Sequence, residues 1–281
     1  MQGCGLLPSQ LSSSYKTAVP FGTLSILSGD SGSMAKYNDP FFDYVDAGAI
    51  RSASVIVPLA YVLLRPGSVL DVGCGRGGWL RAWKNAGAEL ILGVDGDYVD
   101  RNRLYIDLGS FRPTDLSEPF DLARRFDLVQ CLEVAEHVPA ACAEALIDCI
   151  VRHGDMVLFA AAEPGQGGTG HVNERPLDYW RGLFNARGYA CFDPLRPRMH
   201  TDPRIEPWYR YNTLVYANVA GSSRFPATVC ATKVEQGTAL KDYGTLSWKL
   251  RKALLRRLPV AVVDEAANFN AKLHRVLRSH S

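Results

Sequence analysis

Neither sign of charge is in excess in this sequence. Thirty-one Lys and Arg residues face 29 Asp and Glu, a net of +2 over 281 residues. Such a balance gives no global electrostatic preference for nucleic acid, which needs a surplus of cations. Paired cysteines are also lacking. The seven cysteines (Cys4, Cys74, Cys131, Cys142, Cys149, Cys191, Cys230) include no C-x-x-C pair, and their number is odd. They read as reduced thiols of a cytoplasmic protein, not as a disulfide framework or a zinc site. The longest apolar run, around Val55 to Leu64, contains Pro58 and falls well short of the ~20 residues a membrane span needs. The N-terminus lacks a basic start followed by an apolar core, so no secretory signal is expected.

What is present is a changing texture. Residues 1–33 are rich in Ser and Gly without a helix or strand period, and are expected to be a disordered extension. Residues 34–220 carry the folded pattern. Apolar residues dominate at helical spacing from Ala47 to Leu64, and Pro66-Gly67 ends that segment. Strand-like and helix-like segments then alternate: "SVLDVG", "GGWLRAWKNAG", "ELILGVDG", "FDLVQCLEV", "AACAEALIDCIVRHG", "DMVLFAAA", "PLDYWRGLFNARG", "YACFDP", "TLVYANV". Alternation of this kind predicts an α/β fold, a parallel sheet with helices on both faces and ligands at the carboxyl ends of its strands. Residues 221–281 show no strand pattern and read as a C-terminal tail with one basic amphipathic helix, "SWKLRKALLRRLP".

The stretch "VLDVGCGRGGWL" has glycines at 73, 75 and 78, dinucleotide-loop spacing, with Asp71 two residues before the first. A pyrophosphate seated on such a loop would be repelled by Asp71. A cationic ligand reverses the sign, and S-adenosylmethionine (SAM) carries a sulfonium and an ammonium in place of phosphates. Asp71 has a second reading, bonding the loop's own amides. Asp95 ends "LILGVDG" at the ~20-residue offset where a carboxylate meets ribose hydroxyls.

Taken together, "VLDVGCGRGG", "GVDG", "DL" at Asp115-Leu116 and "FDLVQCLEVAEHV" resemble the successive motifs of class I SAM-dependent methyltransferases, over roughly Ser68 to Val219. The resemblance implies a Rossmann-like seven-stranded, mostly parallel sheet with its last strand antiparallel and helices on both faces. SAM would lie across the strand tips, with Asp71, Gly73, Gly75 and Gly77 along its methionine part. It implies Asp95 at the ribose, and Asp115 and Leu116 at the adenine. "E-x-x-E-H" at Glu133, Glu136 and His137 is similar to the ubiquinone-biosynthesis O-methyltransferases. If helical, these three share one face and could hold a divalent cation. The favoured reading is a carboxylate pair, Glu133 included, bonding the SAM ammonium or the substrate, with no metal.

An alcohol or phenol nucleophile benefits from a base. His171, in "GQGGTGHVNERP" with Asn173 and Glu174 nearby, is the preferred candidate, and His137 is the second. His200 lies in a loop that could cover the pocket, and His153, His274 and His280 matter less. Trp208, Tyr209 and Tyr211 either stack on a sugar or aromatic acceptor or pack in the core. The expected function is therefore methyl transfer to a small molecule, most readily a hydroxyl of a saccharide, lipid-linked or natural-product acceptor, with no nucleic acid involved. A nicotinamide oxidoreductase and a non-catalytic SAM-fold binding protein are the alternatives. On a helical wheel Trp248, Leu250, Leu254, Leu255 and Leu258 are read as one face and Lys249, Lys252, Arg256 and Arg257 as the other. That helix, within 245–281, either docks on its own domain or a second subunit with charges toward water, or lies in a membrane interface.

Overall fold

The computed structural model describes residues 39–258 and Val262, with side chains from Asp46 onward. The expected disordered segment, residues 1–33, and His274 and His280 lie outside the described residues. α1 (Asp39–Leu64) runs through Pro58 without interruption. The apolar run is thus longer than expected. The 19 residues Asp46–Leu64 pass for a membrane span by length and composition alone, yet Ala53, Ile56, Val57 and Ala60 are fully buried in the protein's own core.

β1 (Ser68–Val72), α2 (Gly78–Ala86), β2 (Leu90–Asp95), β3 (Phe111–Pro113), β4 (Leu128–Leu132), α3 (Ala143–His153) and β5 (Met156–Ala160) follow in order. Then come α4 (Leu177–Ala186), β6 (Ala190–Phe192), α5 (Arg196–Met199), α6 (Pro207–Asn212), β7 (Leu214–Ala217), α7 (Val219–Ser222), α8 (Ala227–Cys230), β8 (Lys233–Val234) and α9 (Leu246–Leu255). The strands form one sheet in the order β3-β2-β1-β4-β5-β7-β6-β8. β1 to β5 are mutually parallel, and β7 runs antiparallel between β5 and β6. This is the expected Rossmann-like sheet with one strand more. β8 pairs with β6 through Cys191↔Val234 and Phe192↔Lys233, so the region after 220 does contain a strand.

β1, β4 and β5 are buried on both faces, which explains their near-continuous apolar sequences. One face is covered by α1 and α2, where Trp79, Leu80 and Trp83 point inward. The other is covered by α3 and α4, with Trp180 and Phe184 fully buried. The short helix α6 explains the tyrosines around 210. Tyr209 meets Trp79 edge-on at 5.0 Å and Tyr211 meets Trp248 at 5.8 Å, so both are core residues, not an acceptor platform.

Among the described residues, the segment after 220 packs on the same sheet domain: β8 pairs with β6 and α9 contacts the loop after β5. α9 docks on the domain, but turned over relative to the expected wheel. Trp248 and Lys252 face inward, while Leu246, Leu250, Leu254 and Leu258 are exposed. The reason is geometric: at 100° per residue Trp248 and Leu250 lie on opposite sides of a helix.

Asp127 joins the start of two central strands to the chain after β7. Its Oδ2 accepts the amides of Gly67 (3.0 Å) and Ser68 (2.9 Å) and the Ser68 hydroxyl (3.0 Å). Its Oδ1 accepts Arg224 Nη1 at 2.9 Å. Burial alone would raise its pKa, but the bonds from Arg224 and Ser68 outweigh it and hold the carboxyl below its usual value. A depressed folded-state pKa adds stability above the unfolded value and loses it as pH falls through the folded one. Asp127→Ala is expected to cost about 1–3 kcal/mol at pH 7. The difference from wild type should shrink as pH falls below about 4, where the unfolded carboxyl protonates, and on through the lower folded value. Urea melts at pH 7 and pH 3 check this, and an equal difference at both would refute it.

Candidate functional site

The chain leaves β1 in a tight loop that only glycines can follow. Gly73 has φ +82°, and a Cβ there would sit 2.2 Å from the Val134 side chain. Gly75 has φ +52° with nothing within 4 Å of a Cβ position, so backbone is bare to an approaching ligand. The third left-handed glycine is Gly77, not Gly78, which is already the first residue of α2. The sheet order reverses at β1, between β2 and β4, and the loop opens into that crevice.

Four acidic residues cluster at these strand tips; Asp71, Asp95 and Glu136 are buried and Glu133 is partly buried. Asp71 ends up without a loop amide among the described residues. Burial pushes its pKa up to about 7, against the pull of Gln130, with the charge of Asp95 adding to the rise. The loop amide goes to Asp95 instead: Gly75 N donates to its Oδ2 at 2.7 Å, while Gly96 N (2.7 Å) and the Tyr98 hydroxyl (2.5 Å) reach Oδ1. Burial still raises the Asp95 pKa.

Glu133 sits just past β4 with φ +58°, a left-handed conformation costly for a non-glycine residue. Its Oε2 accepts Gln166 Nε2 at 2.5 Å, and its Oε1 is buried without a partner. Burial raises it to about 7, although Gln166 and the His171 charge oppose the rise. Among the described residues neither carboxylate oxygen of Glu136 meets the criteria for a hydrogen-bond partner, and burial followed by the Glu133 charge holds its pKa well up. Orphaned buried carboxylates are expensive unless a cation joins them. The pocket therefore fits a positively charged ligand and disfavours a pyrophosphate.

Residues 161–176 connect β5 to α4 and bring two histidines together. The rings of His137 and His171 meet edge to face at 4.8 Å. His171 Nδ1 lies 2.9 Å from Glu174 Oε1. A carboxylate acceptor there fixes the proton on Nδ1 and leaves the Nε2 lone pair available, the arrangement of an oriented general base. Glu174 also accepts the amides of Gly165 (2.7 Å) and Gly167 (2.9 Å). His137 Nδ1 faces the Gly170 carbonyl at 3.3 Å. Burial first, then the His171 charge, push the His137 pKa down to about 4, which keeps it neutral and weakly basic at pH 7.

The helical condition under which Glu133, Glu136 and His137 would share one face is not met, because residues 133–137 form a bend and a turn. Glu136, His137 and His171 are the ones that converge: one ligand atom from each lies within 4.8 Å of the others, a donor set for a divalent cation. Asp115 is exposed, and its Oδ1 accepts the Ser117 hydroxyl at 2.5 Å and amide at 2.9 Å, which hold its pKa down. Leu116 packs against the core on the α3 and α4 side. His200 bonds the Arg196 carbonyl at 3.2 Å beside Tyr243. His153 is fully buried, spending one nitrogen on the Cys149 carbonyl and the other on the Leu122 amide. Two site residues escaped the sequence reading. Gln166 bridges Glu133 and Asn212, whose Nδ2 reaches Gln166 Oε1 at 2.7 Å. A glutamine inside a glycine-rich loop was the only signal for the first, and nothing marked the second.

Residues 51–196 match the family described as methyltransferase domain. The chain is 29% identical over 186 residues to the ubiquinone biosynthesis O-methyltransferase of Neisseria meningitidis serogroup C, covering 59% of this chain and 72% of that one. It is 31% identical over 142 residues to the tRNA U34 carboxymethyltransferase of Pseudomonas paraeruginosa, 47% of this chain and 44% of that one. A sugar N-methyltransferase structure, KedS8 from Streptoalloteichus sp ATCC 53650, aligns over 76% of this chain and 99% of its own at 17% identity and a TM-score of 0.49. The family match spans more than half of the 281 residues, and it falls on the segment that folds the glycine loop and its carboxylates. The chain belongs to the class I S-adenosylmethionine-dependent methyltransferases.

Proposed function

We propose that this methyltransferase acts on a hydroxyl of a small-molecule acceptor, with His171 as the base. The observation that carries this reading is the Glu174–His171 pair, its Nε2 unspent, in the loop above the buried carboxylates. When bound, SAM supplies an electrophilic methyl group on its sulfonium. The chain's residues have three tasks. Asp71, Gly73, Gly75, Gly77 and Glu133 hold the cationic methionine end, the carboxylates by charge and the glycines by close backbone approach. Asp95 accepts ribose hydroxyls once Tyr98 yields its place, and Asp115 and Leu116 face the adenine. His171 Nε2 takes the acceptor's proton while Glu174 steadies the imidazolium, worth about 10²–10⁴-fold in rate. The likeness to a ubiquinone biosynthesis O-methyltransferase supports oxygen as the nucleophile, and the even charge balance supports a small acceptor over a nucleic acid. A saccharide, a lipid-linked glycan or a natural product fits these conditions.

A second reading has its own observation. The buried, unpartnered carboxylate of Glu136, neutral His137 and His171 would hold a divalent cation that polarises the acceptor oxygen. Two results separate the readings. Under the first, His171→Ala lowers turnover at least about 100-fold while SAM affinity by calorimetry stays within error, and a chelator has no effect. Under the second, a chelator abolishes turnover and added Mg²⁺ or Zn²⁺ restores it. A fully active His171→Ala enzyme rules out the base assignment.

The raised carboxylates make cofactor binding pH-dependent. In the unfolded chain Asp71 and Glu133 ionise near pH 4, but in the folded chain burial makes them hold their protons to about 7. Between those values the folded state binds more protons, so stability falls as pH rises. A cation in the pocket removes that penalty. Saturating SAM should therefore raise Tm more at pH 7.5 than at pH 5.5, and binding at pH 6.5 should release protons into buffer. An equal or smaller gain at pH 7.5 counts against these carboxylates as cation holders.

For location, we propose a cytoplasmic protein that touches a lipid surface through α9. Its exposed Leu246, Leu250 and Leu254 form an outward row, with Leu258 exposed just past its end, and Lys249 and Arg257 add charge at the surface. Co-sedimentation with phosphatidylglycerol vesicles at low salt, lost in Leu250→Ser/Leu254→Ser, is the expected outcome. No sedimentation at low salt removes the proposal.

A further inference from the structure

Three cations of α9 and its C-terminal turn, Arg251, Lys252 and Arg256, reach one target, the segment Glu163–Gln166 at the start of the loop that carries His171. Lys252, buried although it is a lysine, pairs its ammonium with Glu163. Arg251 Nη1 donates to the Gln166 carbonyl at 2.7 Å. Arg256 Nε donates to the Pro164 carbonyl at 2.6 Å. The backbones themselves touch: a Cβ on Gly165, φ +78°, would lie 2.3 Å from the Lys252 carbonyl oxygen. Trp248, packed on Tyr211 with Arg251 over its ring at 5.0 Å, anchors the helix on the other side.

Those contacts lead into the site by two routes. Gln166, held by its carbonyl, points its side chain at Glu133 and Asn212. Gly165 and Gly167, on either side of it, donate their amides to Glu174, the carboxylate that orients His171. The loop has four glycines and a proline between Ala162 and Pro176, so its own sequence offers little to fix a single conformation.

We infer that α9 is a strap that fixes the catalytic loop, and that Lys252 and Arg251 are positioning residues for Glu133 and for the Glu174–His171 pair. The inference rests on the reading of those residues as the cofactor and acceptor contacts. Neither cation reaches a reacting atom; each acts through the loop backbone or Glu163. Without them the Gly165–Gly167 amides leave Glu174, and Gln166 leaves Glu133.

The test uses the full chain and needs no acceptor. Hydrogen exchange is followed by mass spectrometry in wild type, Arg251→Ala, Lys252→Ala and Lys252→Arg, and SAM affinity is measured by calorimetry. Each alanine variant should speed exchange across residues 163–174 by about fivefold, the loss of roughly one hydrogen bond, with β1, β4 and β5 unchanged, and should weaken SAM binding several-fold. Lys252→Arg, which keeps the cation, should stay close to wild type. Unchanged loop exchange in both alanine variants overturns the strap, as does faster exchange spread evenly over the sheet. A Lys252→Arg variant as loose as Lys252→Ala also overturns it. If Lys252→Ala fails to fold, Arg251→Ala, whose side chain is largely at the surface, decides alone. The reading of His171 as base fails separately, by full turnover of His171→Ala, so the two failures are distinguishable.

Discussion

The site is built around an electrostatic debt: carboxylates sunk into the ends of three neighbouring strands with too few partners. Asp71, Asp95, Glu133 and Glu136 leave water for positions where burial dominates their protonation. A folded chain tolerates this only if the groups stay protonated or a cation arrives. The glycine loop is shaped to the same end, bare backbone beside acidic side chains, so the pocket selects by charge before it selects by shape. The neighbouring histidine shares the constraint. His137 is driven neutral by the burial that drives the acids neutral, whereas the neighbouring His171 has a carboxylate partner in Glu174.

This crowding depends on topology. Parallel strands with helical crossovers bring the ends of β1, β2 and β4 side by side although about 60 residues of sequence separate Asp71 from Glu133. The β4 to β5 pairing then brings in the 161–176 loop: Glu133 N bonds the Ala160 carbonyl at 2.8 Å, and the amides of Val172 and Asn173 both bond the Glu136 carbonyl at 2.9 Å. The motif after β4 and the glycine-rich loop are thus one structural piece.

Much of this was legible in the sequence because strand and helix periods are local. The apolar runs at β1, β2, β4 and β5, the Trp79–Trp83 face of α2 and the glycine stops all act within a few residues. The carboxylates were legible because they sit at strand ends beside glycines. What was not legible is non-local. Nothing near Glu133 announces a left-handed residue, so whether Glu133, Glu136 and His137 share a helical face stayed open in the sequence. Partnership of Gln166 with Asn212 spans 46 residues. The three-residue β3 and two-residue β8 are too short to carry a period, and β8 exists only because β6 offers it an edge. α9 is the instructive case: its basic residues look like a solvent face, yet Glu163 and the Pro164 and Gln166 carbonyls give Lys252, Arg256 and Arg251 partners on the domain.

The small strand β8 has a consequence for handling the protein. A sheet with open sides invites other chains to add to it. Here one margin is β3, three residues long and ending in Pro113, which has no amide to offer. The other margin is β8, two residues with Lys233 exposed upon it. Removing the chain after 230 would strip that cover and lay bare Cys191 and Phe192 of β6 with their unpaired backbone groups. Shortened versions that look harmless, because they leave every pocket residue in place, would then be the ones to self-associate.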